Sequence, residues 1–268
     1  KLCVLACNHR EFFKHYSANH LQIASFKKLL YQSVKNLSQT IDNSRIGIIF
    51  DEEYSDNLLG SVDKNIWSSC AIEDSKSFPL DFIEGREASD ILHSRPLQNG
   101  VKVLVRHPKE MTVQEMEQQK KKLHHLHKAC SLRGHELLVE ILAEDLSQVP
   151  FIMEEYYKGG VYPTWWKLQS TIPHEAWKKI EFLVKNCDEA CHGVLLLGEG
   201  ETLESLVEKF NSLRVFPIIK GFAVGRSIWS DFADAWFSSR ISESDLIEGV
   251  EKRFKELVDC SSGELAVQ

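Results

Sequence analysis

Several functions are removed by what this chain lacks. No apolar run approaches the roughly 18 residues needed to span a membrane, and no hydrophobic stretch has the form of a signal peptide. Basic charge is in deficit, with 32 Lys and Arg against 39 Asp and Glu for a formal net charge of -7. The global positive field of a polynucleotide binder is therefore missing, and an anionic small substrate would need a local basic pocket. Cys187 and Cys191 have no matching second pair, which argues against a zinc site. The seven cysteines, Cys3, Cys7, Cys70, Cys130, Cys187, Cys191 and Cys260, are odd in number and sit mostly in apolar contexts. That suits buried, reduced thiols in a cytoplasmic protein better than a disulfide framework. Linkers, low-complexity tracts and internal repeats are absent, so one domain over residues 1–268 is expected. The chain begins at Lys1 and not Met, from which we expect a trimmed start with something before it.

What is present is an alternation of short apolar runs and longer helical patterns. Strands are predicted at Leu2–Cys7, Arg45–Asp51, Leu80–Ile83, Val101–Arg106, Glu136–Leu142, Val161–Leu168, Gly193–Gly198 and Gly221–Gly225, the third being the weakest. Helices are predicted at Leu21–Leu37, Thr112–Leu132, Pro173–Val184, Thr202–Ser212, Ser230–Ser239 and Glu243–Val258. Such alternation, with no dinucleotide-binding glycine fingerprint, predicts an α/β fold of the (β/α)8 TIM-barrel type.

Side-chain parity then locates the chemistry. Val101, Val103 and Val105 share one face of their strand, and Lys102, Leu104 and Arg106 share the other. In the second strand Asp51 opposes the face of Ile46, Ile48 and Phe50, and in the fifth Glu140 opposes Leu137, Val139 and Ile141. The apolar faces should meet helices, leaving the polar positions for the barrel mouth. Charges there need either one another or a ligand. Lys167, flanked by Trp165, Trp166 and Leu168, is a candidate for a desolvated amine that attacks a ketone. A lysine snorkelling from a strand end is the competing explanation. Glu140 is either a proton shuttle or an ion-pair partner, and Lys102 either holds substrate charge or pairs with a carboxylate. Two glycine-bearing strand ends, at Gly198 and Gly200 and at Gly225 with Arg226, suit phosphate. The basic run at 119–128 reads as a solvated helix face whose His124, His125 and His127 lack carboxylate partners at metal spacing, and His9 and His107 lie at strand ends with no evident His/Asp/Glu triad.

At Asn8-His9-Arg10, at 101–108 (Val-Lys-Val-Leu-Val-Arg-His-Pro), at 162–168 (Tyr-Pro-Thr-Trp-Trp-Lys-Leu) and at 221–228 (Gly-Phe-Ala-Val-Gly-Arg-Ser-Ile) the chain resembles a known family. This is the 2-deoxy-5-keto-gluconate-6-phosphate aldolase-like domain of myo-inositol catabolism, often fused behind a ribokinase-type sugar kinase. More distantly it is similar to class I tagatose-1,6-bisphosphate aldolases. The resemblance implies a lyase needing neither metal nor cofactor, which cleaves a phosphorylated keto sugar acid to dihydroxyacetone phosphate and malonate semialdehyde. It implies Lys167 as the Schiff-base lysine, Glu140 as the proton shuttle and Lys102 as a second active-site lysine. Asn8, Arg10, Asp51, Arg106, Gly198, Gly200, Gly225 and Arg226 make up the expected substrate-binding set. The implied partners are a phosphorylated sugar and either further copies of the chain or a fused kinase domain, with no nucleic acid and no membrane. The family usually has aspartate where Asn8 stands, and asparagine holds no negative charge and accepts no proton as a base. That departure leaves open an aldolase acting on another ketose phosphate, or a catalytically weakened barrel that binds phosphosugars.

Overall fold

The computed structural model describes residues 1–16, 19–41, 45–93, 95–96 and 99–263. Strands β1 (Leu2–Ala6), β2 (Arg45–Asp51), β3 (Trp67–Ala71), β4 (Asn99–His107), β5 (Leu137–Ala143), β6 (Trp165–Gln169), β7 (Gly193–Leu197) and β8 (Ile219–Val224) form a closed barrel in chain order. The helices are α1 (His20–Ser38), α2 (Glu52–Leu59), α3 (Ala88–His93), α4 (Val113–Arg133), α5 (Val149–Lys158), α6 (His174–Cys187), α7 (Leu203–Leu213), α8 (Arg226–Phe237) and α9 (Glu243–Ser262). This is the (β/α)8 TIM barrel expected from the alternation. Among the described residues, no helix is long and apolar enough to cross a membrane.

Contacts group the chain into two compact units. The first comprises Lys1–Cys70, Leu196–Ser212 and Gly221–Gln268. In it β1 pairs in parallel with β2, Val4 opposite Gly47, and with β8, Leu2 opposite Gly221. Gly221 has φ 149°, and a Cβ there would lie 1.8 Å from the Leu2 carbonyl oxygen, so only glycine permits this strand contact. Helix α9 starts with a capping box in which the Ser242 side chain accepts from the Asp245 N–H. It buries Leu246, Val250, Phe254 and Leu257, each such burial contributing about 1.5–3 kcal/mol.

The second unit comprises Ala71–Leu195 and Leu213–Lys220. Here β4, β5 and β6 run parallel, with Lys102 opposite Leu138, Leu104 opposite Glu140, and Glu140 opposite Lys167. Neighbouring side chains in parallel register lean to the same face, so this pairing gathers the polar faces of three strands. The alternate residues face helices: the Trp166 Nε1–H donates to Tyr157 Oη on α5 at 2.8 Å. Thr112 caps α4, and Gly134 ends it in the left-handed conformation.

The third strand differs from expectation. It is Trp67–Ala71, whose Ser68 and Ser69 are buried, so it lacks the apolar alternation that marks a strand in sequence. In the predicted stretch, Phe82 makes an isolated antiparallel bridge to Glu73 and Ile83 begins a 3-10 turn. The sixth strand starts at Trp165 and not Val161, after Gly160 at φ 74° and Pro163. Helix α8 starts four residues early, which puts Arg226 in its first turn.

Candidate active site

Four ionisable side chains meet in the second unit. Lys102 on β4, Glu140 on β5 and Lys167 on β6 are joined by Glu73, two residues beyond β3. Lys167 Nζ lies 3.1 Å from Glu140 Oε1, and Lys102 Nζ lies 2.9 Å from Glu140 Oε2 and 2.8 Å from Glu73 Oε1. The relative exposures are 1% for Lys102, 2% for Lys167, 3% for Glu73 and 8% for Glu140. Charges this far from water must answer one another, and here two lysines divide two carboxylates unequally.

The division decides which amine gives up its proton. Burial pushes Lys102 down, but the negative charges of Glu140 and Glu73 outweigh it and hold this lysine above its ordinary pKa. Among the described residues Lys167 forms a salt bridge with Glu140 alone, and the Glu73 charge acts on it from farther away. Burial lowers the Lys167 pKa, and the neighbouring positive charge of Lys102 adds to the effect. Burial also pushes Glu140 up, yet Lys102 and then Lys167 overcome it and bring the carboxyl down to about 2. The cluster therefore contains a firmly charged lysine, a firmly ionised carboxylate and one amine biased toward its neutral, nucleophilic form.

The remaining expected residues fall into separate groups. Arg106 is half-buried on the same face of β4 as Lys102. Asp51 is fully buried and already engaged: Lys27 of α1 donates to its Oδ2, and its Oδ1 accepts the Tyr54 N–H at 2.9 Å as the cap of α2. Asn8 follows β1, and its buried Oδ1 accepts no hydrogen bond from the described residues. Arg10 is buried at the start of the 3-10 turn Glu11–His15.

The two glycine loops do come together within the first unit. Gly200, at φ 78°, would place a Cβ 3.8 Å from the Arg226 guanidinium carbon. Gly225 precedes α8, and a Cβ there would sit 2.3 Å from the Ala6 carbonyl oxygen, so the close approach requires glycine. Gly198 would meet Val224 in the same way, at 2.8 Å. The Ile228 and Trp229 N–H groups donate to the Gly225 carbonyl, so the donors available here are the Arg226 and Ser227 amides and the exposed Arg226 guanidinium.

Sequence reasoning missed Glu73 because the third strand was sought at 80–83. With β3 at Trp67–Ala71, Glu73 stands two positions past a strand's C-terminal end, where barrel chemistry gathers. Gln119, expected on a solvated face, is 1% exposed and accepts the Leu80 N–H at 3.1 Å. Among the described residues there is no group of three His, Cys, Asp or Glu side chains placed to hold a metal.

The fold has known counterparts. A fructose-bisphosphate aldolase of Plasmodium falciparum superposes with a TM-score of 0.72 at 15% identity, over 99% of this chain and 91% of that one. A Corynebacterium glutamicum protein does so with a TM-score of 0.63 at 14% identity, over 99% and 86%. Identities this low speak for the barrel alone. No curated protein matches the sequence. One family model does match, over residues 1–263, and the chain belongs to that family, DUF2090, described as an uncharacterized protein conserved in bacteria.

Proposed function

We propose that this protein is a class I aldolase, a carbon–carbon lyase that forms a Schiff base through Lys167. The observation that carries the reading is the buried Lys167 amine at 3.1 Å from Glu140, next to a second lysine that keeps its charge. The named activity of the P. falciparum neighbour agrees with this chemistry on a similar barrel.

The neutral Lys167 nitrogen adds to a ketone carbon to give a carbinolamine. Loss of its hydroxyl as water, with Glu140 passing on a proton lost by nitrogen, leaves an iminium. When the hydroxyl β to that carbon loses its proton, the intervening C–C bond breaks, an aldehyde departs and the electron pair enters the enamine. Protonation of the enamine carbon and hydrolysis release the ketone product and free the amine. Lys102, held cationic by Glu73 and Glu140, stabilises negative charge as it develops on oxygen. The substrate is a phosphorylated keto sugar acid, 2-deoxy-5-keto-gluconate 6-phosphate by the resemblance. Its products are dihydroxyacetone phosphate and malonate semialdehyde. Arg226, the loop carrying Gly198 and Gly200, and the start of α8 beyond Gly225 hold the phosphate.

A second reading follows from Asn8, whose buried carbonyl oxygen is available to a substrate hydroxyl but takes no proton as a base. On that reading the barrel binds phosphosugars and turns them over poorly. Borohydride trapping with dihydroxyacetone phosphate, followed by peptide mass mapping, separates the two. An adduct on Lys167 that Lys167→Ala removes supports the aldolase; sugar-phosphate binding with no lysine adduct leaves the weakened barrel. Arg226→Ala should raise KM for phosphorylated substrate about tenfold or more at nearly constant kcat.

A further inference from the structure

A cleft outside the lysine cluster carries its own recognition chemistry. It has a volume of ≈ 560 Å³ and is formed by the residues after β4 and β5 with the first turns of α4 and α5. Its apolar walls are Pro108, Met111, Met116, Phe151 and Ile152, and His107, the last residue of β4, also lines it. Thioethers and an aromatic ring make an adaptable lining, and this volume is of the size that small organic ligands fill.

The hydrogen-bond chain behind His107 fixes which of its nitrogens carries the proton. Gln119 Oε1 accepts the Leu80 N–H, so its amide nitrogen is the donor on the other side, to the Arg106 carbonyl at 3.2 Å and to Tyr156 Oη at 2.9 Å. Gln119 Nε2, which can only donate, also lies 3.3 Å from His107 Nε2, so that ring nitrogen suits the acceptor role and takes the Tyr156 proton at 2.8 Å. Burial pushes the ring's pKa down to about 4, so the imidazole is neutral near pH 7. Its one proton then sits on Nδ1. His107 is only 7% exposed, and this N–H meets no acceptor among the described residues.

Charge narrows the ligand further. Glu117, Asp145 and Glu155 line the cleft against Lys109 alone, which disfavours an anion. Those carboxylates are already served: Lys120 meets Glu117 at 2.8 Å and Glu155 at 3.3 Å, and Asp145 accepts from the Ser147 hydroxyl at 2.7 Å. With Lys120 and Ser147 taking part of their capacity, these carboxylates attract a cationic ligand less than their number suggests.

We propose that this cleft is a second binding site, for an uncharged molecule with an apolar, ring-sized body and a carbonyl oxygen that accepts from His107 Nδ1. The test uses acetophenone as probe, with ethylbenzene lacking the acceptor and benzoate carrying a charge. Binding is followed on the full chain by the nitrogen resonances of labelled histidine. Acetophenone should bind saturably, move the His107 Nδ1 signal, and bind about tenfold more tightly than either comparison compound. His107→Phe should erase the preference for acetophenone over ethylbenzene. Met116→Trp, which fills the cleft and leaves the hydrogen-bond chain intact, should abolish binding of both. Unsaturable binding, benzoate binding as tightly as acetophenone, or a preference that survives His107→Phe would overturn the proposal. Trapping at Lys167 should be the same in Met116→Trp, so the result stands apart from the aldolase reading.

Discussion

Each compact unit buries lysine against carboxylate, and the two arrangements differ in stoichiometry. In the first unit Lys27 and Asp51 are both fully buried and pair one to one. The rings of Phe13 and Tyr54 lie 5.2 and 5.1 Å from the Lys27 nitrogen, and Asp51 also caps α2. Every charge there has a dedicated partner, and the result is a pin between α1 and the end of β2. In the second unit Lys102 and Lys167 share Glu140, and Lys102 alone also holds Glu73. Burial is nearly equal in the two places, and the number of partners is what differs. At Lys167 burial is the main cause that lowers the pKa, Glu140 opposes it, and the like charge of Lys102 next door adds to it.

Changing the number of partners at each cluster tests this difference. The largest effect is expected in the one-to-one pair. Lys27→Met strands the Asp51 carboxylate and should cost about 3–5 kcal/mol of stability by urea unfolding. Adding Asp51→Asn should recover part of that loss, and trapping at Lys167 in the folded fraction should stay as in the parent. Next, Lys102→Met converts the second cluster into a single lysine facing Glu140. With the competing positive charge gone, the Lys167 pKa rises, so the acid limb of its borohydride inactivation should move to higher pH. The kcat/KM for cleavage should fall about 100-fold. An acid limb that stays in place would show that Lys102 does not set the charge state of Lys167.

The smallest effect, opposite in sign, is expected from Glu73→Gln. Glu73 favours the protonated form of Lys167 as well as that of Lys102, so its neutralisation lets Lys167 lose its proton more easily. The acid limb should then move to lower pH, with kcat reduced by about tenfold or less. Glu73→Asp should return the profile toward the parent, a rescue that a purely structural residue would not give.

Much of this was legible in the sequence because strand parity is a local property. Lys102 and Arg106 fall opposite three valines, and Glu140 opposite Leu137, Val139 and Ile141, so the polar faces of β4 and β5 follow from two-residue alternation alone. The strand of Trp67–Ala71 was not legible, since its buried serines give no hydrophobic signal. Gln119 was read as surface because it heads a run of lysines; its burial comes from Leu80, Arg106 and Tyr156, all distant in the chain.

Local sequence was enough for the barrel class and for the faces on which its charged strand residues lie. Both depend on the period of residues near one another in the chain. The tertiary structure alone decided that Glu73 joins Lys102, that Asp51 is taken by Lys27, and that Lys167 is the amine biased toward neutrality. Those outcomes are differences between charge–charge and desolvation energies, and such differences exist only after strand register and helix packing have set the distances.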